Sequence, residues 1–231
     1  MFRFIALILM ATTIVGMAQA KRNVQLNLCC LRYADDQRSV FVKSEADATP
    51  TELLFYQGGF TEPVKVLEEE GKIVFYRKGT EGQPLWVPDW SITVPDKREE
   101  ISVILLPKEP NAQKPEPYQA YLLPTVKEFD YGTVWIANLT PLAAKFEVGR
   151  STVELAPGSA KNALLKPHAD SYNMVPMTAW IRPEKSWHTL HTTQWPFHDR
   201  YRQAALLWMD PALKRPEITT LREFRPAPPN P

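Results

Sequence analysis

The sequence predicts an all-β protein, built as one antiparallel β-sandwich or as two in tandem. Three observations lead there. Short runs rich in β-branched and aromatic residues recur between turn signals, at close to the spacing of a sandwich or barrel. Pro is abundant and Gly scarce, 22 against 9, and Pro collects at strand ends and edges because it cannot donate to a central ladder. No long segment carries the apolar stripe of an amphipathic helix.

The chain of 231 residues opens on "MFRFIALILMATTIVGMAQA". One cation, Arg3, precedes an apolar run and then small residues ending in Ala18-Gln19-Ala20, the layout of a secretory signal peptide cleaved after Ala20. Thr12, Thr13 and Gly16 interrupt the run, so it is short for a bilayer span. No later segment is apolar enough to span, so no membrane span is expected once residues 1–20 are removed. With the signal goes Arg3, one of the 27 basic residues, leaving as many basic residues as the 26 acidic ones. A nucleic-acid partner normally demands a basic excess or patch, and none stands out.

Residues 21–107 read as an N-terminal β module. In "NVQLNLCCLRY" the apolar positions Val24, Leu26, Leu28 and Cys30 alternate, which predicts a strand with Cys30 buried and Cys29 as its outward neighbour. A Cys-Cys pair lacks the C-x-x-C redox spacing. Further strands follow in "SVFVK", "ELLFY", "PVKVL", "KIVFYR" and "ISVILL". The Pro-rich "PKEPNAQKPEP" at 107–117 is either a linker between modules or a long loop inside one sandwich. Residues 108–130 are assigned to it together with a short strand, "YQAYLL".

Residues 131–225 read as a C-terminal β module. "VWIANLTPLAAKFEVGRSTVELAPGSAKNALL", Val134 to Leu165, parses as strand, turn, strand, hairpin, strand. Asn138-Leu139-Thr140-Pro141 is a turn signal, Gly149-Arg150 suits a two-residue hairpin, and Pro157-Gly158 is another turn. Asn138 also matches a glycosylation acceptor; beside Pro141 in a bacterial-looking chain, the match is read as incidental. "HTLHT" and "EITTLREF" are strands. "DRYRQAALLWMD" has a continuous apolar run from Ala204 to Met209 and reads as a buried strand, with a helix as its rival. The tail at 226–231 is expected to be disordered.

The turns and strands around Asn138 resemble those of secreted immunoglobulin-like bacterial modules, in which N-L-T-P, V-G and V-x-L-x-P-G surround a β-hairpin. At Asn138, Thr140, Pro141, Pro157 and Ser159 they also resemble the second domain of the periplasmic pilus chaperones. "VPDKREEISVILL", Val94 to Leu106, resembles the run that closes the first domain of those proteins. The first resemblance implies an immunoglobulin-like sandwich. The second implies a two-domain protein that donates an edge strand to a client, with paired basic residues in the cleft between domains; Arg77 and Lys78, or Arg98, would serve. The chain departs from that pattern in a short interval between the closing run and Asn138, and in lacking the basic segment expected there.

Motifs for catalysis are absent. There is no G-x-S-x-G elbow, and Ser159 lies in a proline turn with no His tied to it. His188, His191, His198 and Asp199 are the only metal-ligand cluster worth weighing. H-x-x-H without Glu is not the metalloprotease helix, and on a strand His188 and His191 point oppositely, so no metal is assigned. No Gly-rich phosphate loop or dinucleotide fingerprint occurs, and no cofactor is assigned. Aromatic residues crowd the last third: Tyr172, Trp180, Trp187, Trp195, Phe197, Tyr201 and Trp208. Among them Trp187 and Trp195, with polar neighbours Ser186, His188 and Gln194, are the expected binding residues. The reading is a non-catalytic protein of the bacterial periplasm or envelope that binds a protein partner or serves a structural role. The alternatives are a pilus-chaperone-like protein, or a carbohydrate-binding module or hydrolase.

Overall fold

A computed structural model describes residues 21–34, 36–108 and 117–225. Residues 1–20, read above as a signal peptide, and 226–231, read as a tail, lie outside the described residues, as do 109–116 of the Pro-rich stretch. The described residues form sixteen strands: β1 (Arg22–Cys30), β2 (Ser39–Val42), β3 (Thr51–Leu54), β4 (Val64–Glu68), β5 (Lys72–Lys78), β6 (Trp86–Thr93), β7 (Glu100–Pro107), β8 (Tyr118–Leu122), β9 (Thr133–Asn138), β10 (Ala143–Val148), β11 (Ser151–Leu155), β12 (Ala160–Leu164), β13 (Met174–Arg182), β14 (His188–Pro196), β15 (Tyr201–Asp210) and β16 (Arg215–Phe224). The described residues contain no α-helix, only one 3-10 turn at Lys166–His168.

The strands make four four-stranded sheets: sheet I in the order β4-β1-β7-β8, sheet II β3-β2-β5-β6, sheet III β12-β9-β15-β16 and sheet IV β11-β10-β13-β14. Pairing between these strands is antiparallel except at two places, β1 with β7 and β9 with β15, which run parallel. Sheets I and II close on one core, with Leu26, Leu28, Val103 and Leu105 facing Val42, Phe55, Phe75 and Ile92. Sheets III and IV close on a second, with Val134, Ile136, Ala205 and Leu207 facing Phe146, Val148, Val175 and Met177. These are the face-to-face layers of β-sandwiches.

A third cluster joins the backs of sheets I and III. Cys29, Leu31, Ile104 and Leu106 meet Ala137, Ala204, Leu206, Trp208 and Leu221 there. The four layers therefore run II, I, III, IV. This explains β15: every residue from Tyr201 to Trp208 is buried, because the strand is covered on both faces and reads as a continuous apolar run. The strand reading of this segment holds and the helical rival does not. It also corrects the expectation for Cys29, which points away from the first core as alternation requires but is buried all the same, at 0% exposure. Its face of sheet I is covered by sheet III.

The second eight strands repeat the topology of the first eight. Shifting each strand number of sheets I and II by eight gives sheets III and IV, strand for strand, including the two parallel pairings. The local irregularities repeat as well. A register shift falls between Phe75 and Tyr76 on β5, and another between Ala179 and Trp180 on β13. Cys30 and Asn138 hold matching places at the ends of β1 and β9. The Cys30 amide donates to Tyr56 O (3.1 Å) and its carbonyl accepts from the Gly58 amide (2.9 Å). The Asn138 amide donates to Ser159 O (2.9 Å) and its carbonyl accepts from the Gly158 amide (2.8 Å).

Several strands carry less obvious signals. β8 pairs with β7 within sheet I, so the Pro-rich stretch joins two neighbours in one sheet. β6, β12 and β13 were not evident as strands, for reasons visible in their residues. Pro88 sits on β6, an edge strand, where a missing donor can face solvent. Pro176 sits on the central strand β13, but the β10 ladder starts only at Met177. β12 is mostly exposed and offers no apolar alternation. The hairpin at Gly149-Arg150 is as expected: Val148 pairs with Ser151 and Gly149 has φ +60°. A Cβ on Gly149 would lie 2.3 Å from the His168 Cβ, so position 149 demands glycine twice over.

Candidate functional site

The outer face of sheet IV carries the most organised group of half-exposed side chains. Alternation buries Ala144, Phe146 and Val148 of β10, which leaves Lys145 and Glu147 on the solvent side. On β13, Val175, Met177 and Ala179 are buried and Trp180 faces out. Lys145 is paired with Trp180 across the ladder, and its Nζ lies 4.2 Å from the Trp180 ring centroid and 5.6 Å from that of Trp187. The Arg182 guanidinium sits 4.9 Å from the Trp187 ring. Lys145 also approaches Glu147 at 3.8 Å. Two tryptophans are thus gripped by two cations, contacts of about 0.5–1 kcal/mol each at exposed sites.

Trp195 is placed differently. It is 4% exposed and belongs to the second core, opposite Val175 on β13. Its ring is therefore not presented to a partner. The polar neighbour that suggested exposure carries the opposite meaning on a strand: with Gln194 facing out, residue 195 faces in. Trp208 lies in the cluster between sheets I and III, donating from Nε1 to Thr219 Oγ1 (3.0 Å). Trp180 and Lys145 belong to the array around Trp187, and cross-strand pairing is the signal that could have found them.

The matching face of sheet II has a related array. Tyr76, at the place equivalent to Trp180, pairs with Phe41 on β2, as Trp180 pairs with Lys145. Lys78 pairs with Trp86 across the β5–β6 ladder, as the numbering of the equivalent strands sets Arg182 against Trp187. The Phe41 and Trp86 rings are 4.7 Å apart. Lys78 lies 5.8 Å from Phe41 and Lys43 5.2 Å from Tyr76.

Three histidines have polar partners within hydrogen-bond reach. Ser151 Oγ and His168 Nε2 are 2.9 Å apart, a pairing hidden in the sequence because the residues sit on different elements. Yet the Arg150 amide donates to His168 Nδ1 (3.4 Å). In the neutral ring Nε2 then carries the proton and donates to Ser151, the reverse of what a general base needs. His198 Nδ1 accepts from the Arg200 amide (3.0 Å) and its ring stacks on Tyr201, while His188 contacts Ser186 (3.2 Å). Among the described residues no three His, Cys, Asp or Glu side chains converge as a metal set.

Two open clefts flank the packing of sheet I on sheet III. One, of about 760 Å³, is lined by Leu106, Lys108, Tyr121, Pro141 and Asp210. The other, of about 800 Å³, includes Arg98, Val126, Tyr131, Arg202 and Arg225. Two of its arginines are held by hydrogen bonds and ion pairs, and the third, Arg225, lies 4.7 Å from the Tyr131 ring centroid. Arg202 is 4% exposed and donates to Glu223 Oε2 (2.8 and 3.0 Å), Phe129 O (2.9 Å) and Pro124 O (3.2 Å). Arg98 donates to Leu123 O (3.0 Å) and Glu128 Oε2 (3.1 Å). The Thr125 amide and hydroxyl, helped by Arg98, hold the Glu128 carboxyl below the usual carboxylate range. Arg77 and Lys78 lie on β5 in sheet II and do not line this cleft.

No protein-family model matches the chain, and no curated protein matches it in sequence. No helix among the described residues is long and apolar enough to cross a membrane.

Proposed function

We propose that the protein is an exported, non-catalytic β-sandwich protein of the bacterial periplasm or envelope, and that it binds a protein partner through the outer face of sheet IV. The observation that supports this is the Trp180–Trp187 array. Large aromatic side chains make strong anchors. Here Lys145 and Arg182 already restrict their rotamers, which lowers the entropy lost on binding. The export reading rests on the N-terminal signal pattern.

The alternatives draw less support. A pilus-chaperone-like donor of a strand needs free paired cations in the cleft between units, and Arg98 there is committed to Glu128 and a carbonyl. A sugar-stacking platform needs bare ring faces, and those of Trp180 and Trp187 carry cations.

The test is a crosslinking pull-down of the tagged mature protein from its native cell envelope, read by mass spectrometry. One dominant protein partner is expected, lost in Trp187→Ala, while the unfolding free energy moves by no more than about 1 kcal/mol. A partner retained by the variant, or none above background, would sink the reading.

A further inference from the structure

Among the described residues eight strands stand at sheet edges, and they are not equally guarded. A bare edge offers unpaired amides and carbonyls to any other strand, and short length, charge, Pro or a bulge normally blunts it. β3, β4, β8, β11 and β12 are only four or five residues long. β6 carries Pro88 and Asp89 at its register shift, and β16 carries Pro216 and four charged side chains. β14 is nine residues long, HTLHTTQWP, with no Asp, Glu, Lys or Arg. It pairs with β13 alone, so its other side is open. Its register shift makes Leu190 an extra residue, since Ala179 faces His191 and Trp180 faces Thr189. Beyond that bulge, His191 to Pro196 run in unbroken register.

We infer that β14 pairs with the β14 of a second copy of this chain, antiparallel about a two-fold axis, so that two copies of sheet IV join into one sheet of eight strands. Because side chains alternate with period two, such an axis must pass through a residue for outer face to meet outer face. An axis at Thr193 uses His191 to Trp195 and leaves both the bulged Leu190 and Pro196 outside the new ladder. It sets Thr193 against itself, Thr192 against Gln194 and His191 against Trp195. None of these pairs opposes a charge to its like, which a two-fold axis would do to a charged residue at its centre. A strand from another protein would draw specificity from pockets for its alternate side chains, and neither large cleft borders β14. The pairing brings two Trp180–Trp187 arrays onto one continuous face, but it is read from the edge and does not depend on the role proposed for them.

The test is sedimentation equilibrium of the mature chain over a range of concentrations. A concentration-dependent dimer is expected. Thr193→Lys sets like charges directly opposite and should raise the dimer dissociation constant by about fivefold or more, with the thermal melt confirming that the variant is folded. Thr152→Lys makes the same change on β11, the other edge of sheet IV, and should leave the association unchanged. Should Thr193→Lys fail to fold, Thr193→Cys gives an independent reading. Residues directly opposite in an antiparallel ladder have Cα atoms about 4.5–5.5 Å apart, within reach of a disulfide. Mild oxidation should therefore link Thr193→Cys into a dimer and leave Thr152→Cys unlinked; Cys29 and Cys30 are buried and do not compete. A monomer at every concentration would overturn the proposal and leave the edge to a strand of another protein. A dimer untouched by Thr193→Lys and not linked by Thr193→Cys would place the contact on a different edge. Equal weakening by Thr152→Lys would place it on the face of sheet IV. The pull-down with Trp187→Ala succeeds or fails separately, because Trp187 precedes β14 and takes no part in the ladder.

Discussion

Asn138→Ala is expected to cost about 3–4 kcal/mol of stability, measured by urea unfolding. The side chain is 0% exposed and ties together three chain segments. Its Nδ2 donates to Leu142 O (2.7 Å), Ala156 O (3.2 Å) and Leu155 O (3.3 Å). Its Oδ1 accepts from the Thr140 amide (3.1 Å) and the Thr140 hydroxyl (2.8 Å). Truncation leaves several buried partners without water or protein to bond. The equivalent place in the first half is held by Cys30, whose thiol needs no such network. A cysteine at 138 would therefore test whether the network or merely a small buried side chain is required. The network reading expects Asn138→Cys to be nearly as damaging as alanine. Near-wild-type stability in either variant would refute it.

Arg32→Ala is expected to cost about 2–4 kcal/mol and to loosen sheet I from sheet III. Arg32 follows β1 in the first half, and Asp210 ends β15 in the second. Nη1 donates to Oδ1 at 2.9 Å, and Nη2 lies 2.7 Å from Oδ2. The Asp210 side chain is 1% exposed, so losing its partner strands a buried carboxylate. Two terms moderate the loss: the amides of Ala212 and Leu213 still donate to Oδ1 (2.9 and 3.1 Å), and Arg32 itself is 35% exposed. The check is a calorimetric melt. A lower first transition, or the splitting of one transition into two, is expected. An unchanged single melt would mean that the apolar cluster alone holds the layers.

Much of the fold was legible because alternation survives wherever one face is wet. β1, β2, β5, β10 and β11 announce themselves in this way. β15 was legible for the opposite reason: only a strand covered on both faces tolerates so long an apolar run in so small a protein. The duplication was not legible. What it conserves is geometry, while the residues change: Phe75 matches Ala179, Val94 matches Trp195 and Cys30 matches Asn138. Bulk lost at one position is supplied at another across the core, and loops of unequal length blur the spacing. Of the expected binding pair, Trp187 stands on the surface and Trp195 in the core, because polar neighbours mean different things inside a strand and outside one. Trp187 precedes β14, whereas Trp195 lies within it.

The two adjacent cysteines form a pair of independent clocks. Both thiols are free and buried, and burial raises both from their ordinary value of 9.0 to about 12. Neither should react with an alkylating reagent until its surroundings open. Because an unfolded chain ionises these thiols near 9 and the folded one only near 12, their contribution to stability is lost as pH climbs through that interval. They keep different time. Cys29 faces the seam between sheets I and III, whereas Cys30 faces the first core. Alkylation at residue 29 times the parting of the two halves; alkylation at residue 30 times the melting of one of them. One peptide bond thus separates the two read-outs, and a mass spectrum of a single tryptic fragment could rank the events without any label being engineered into the protein.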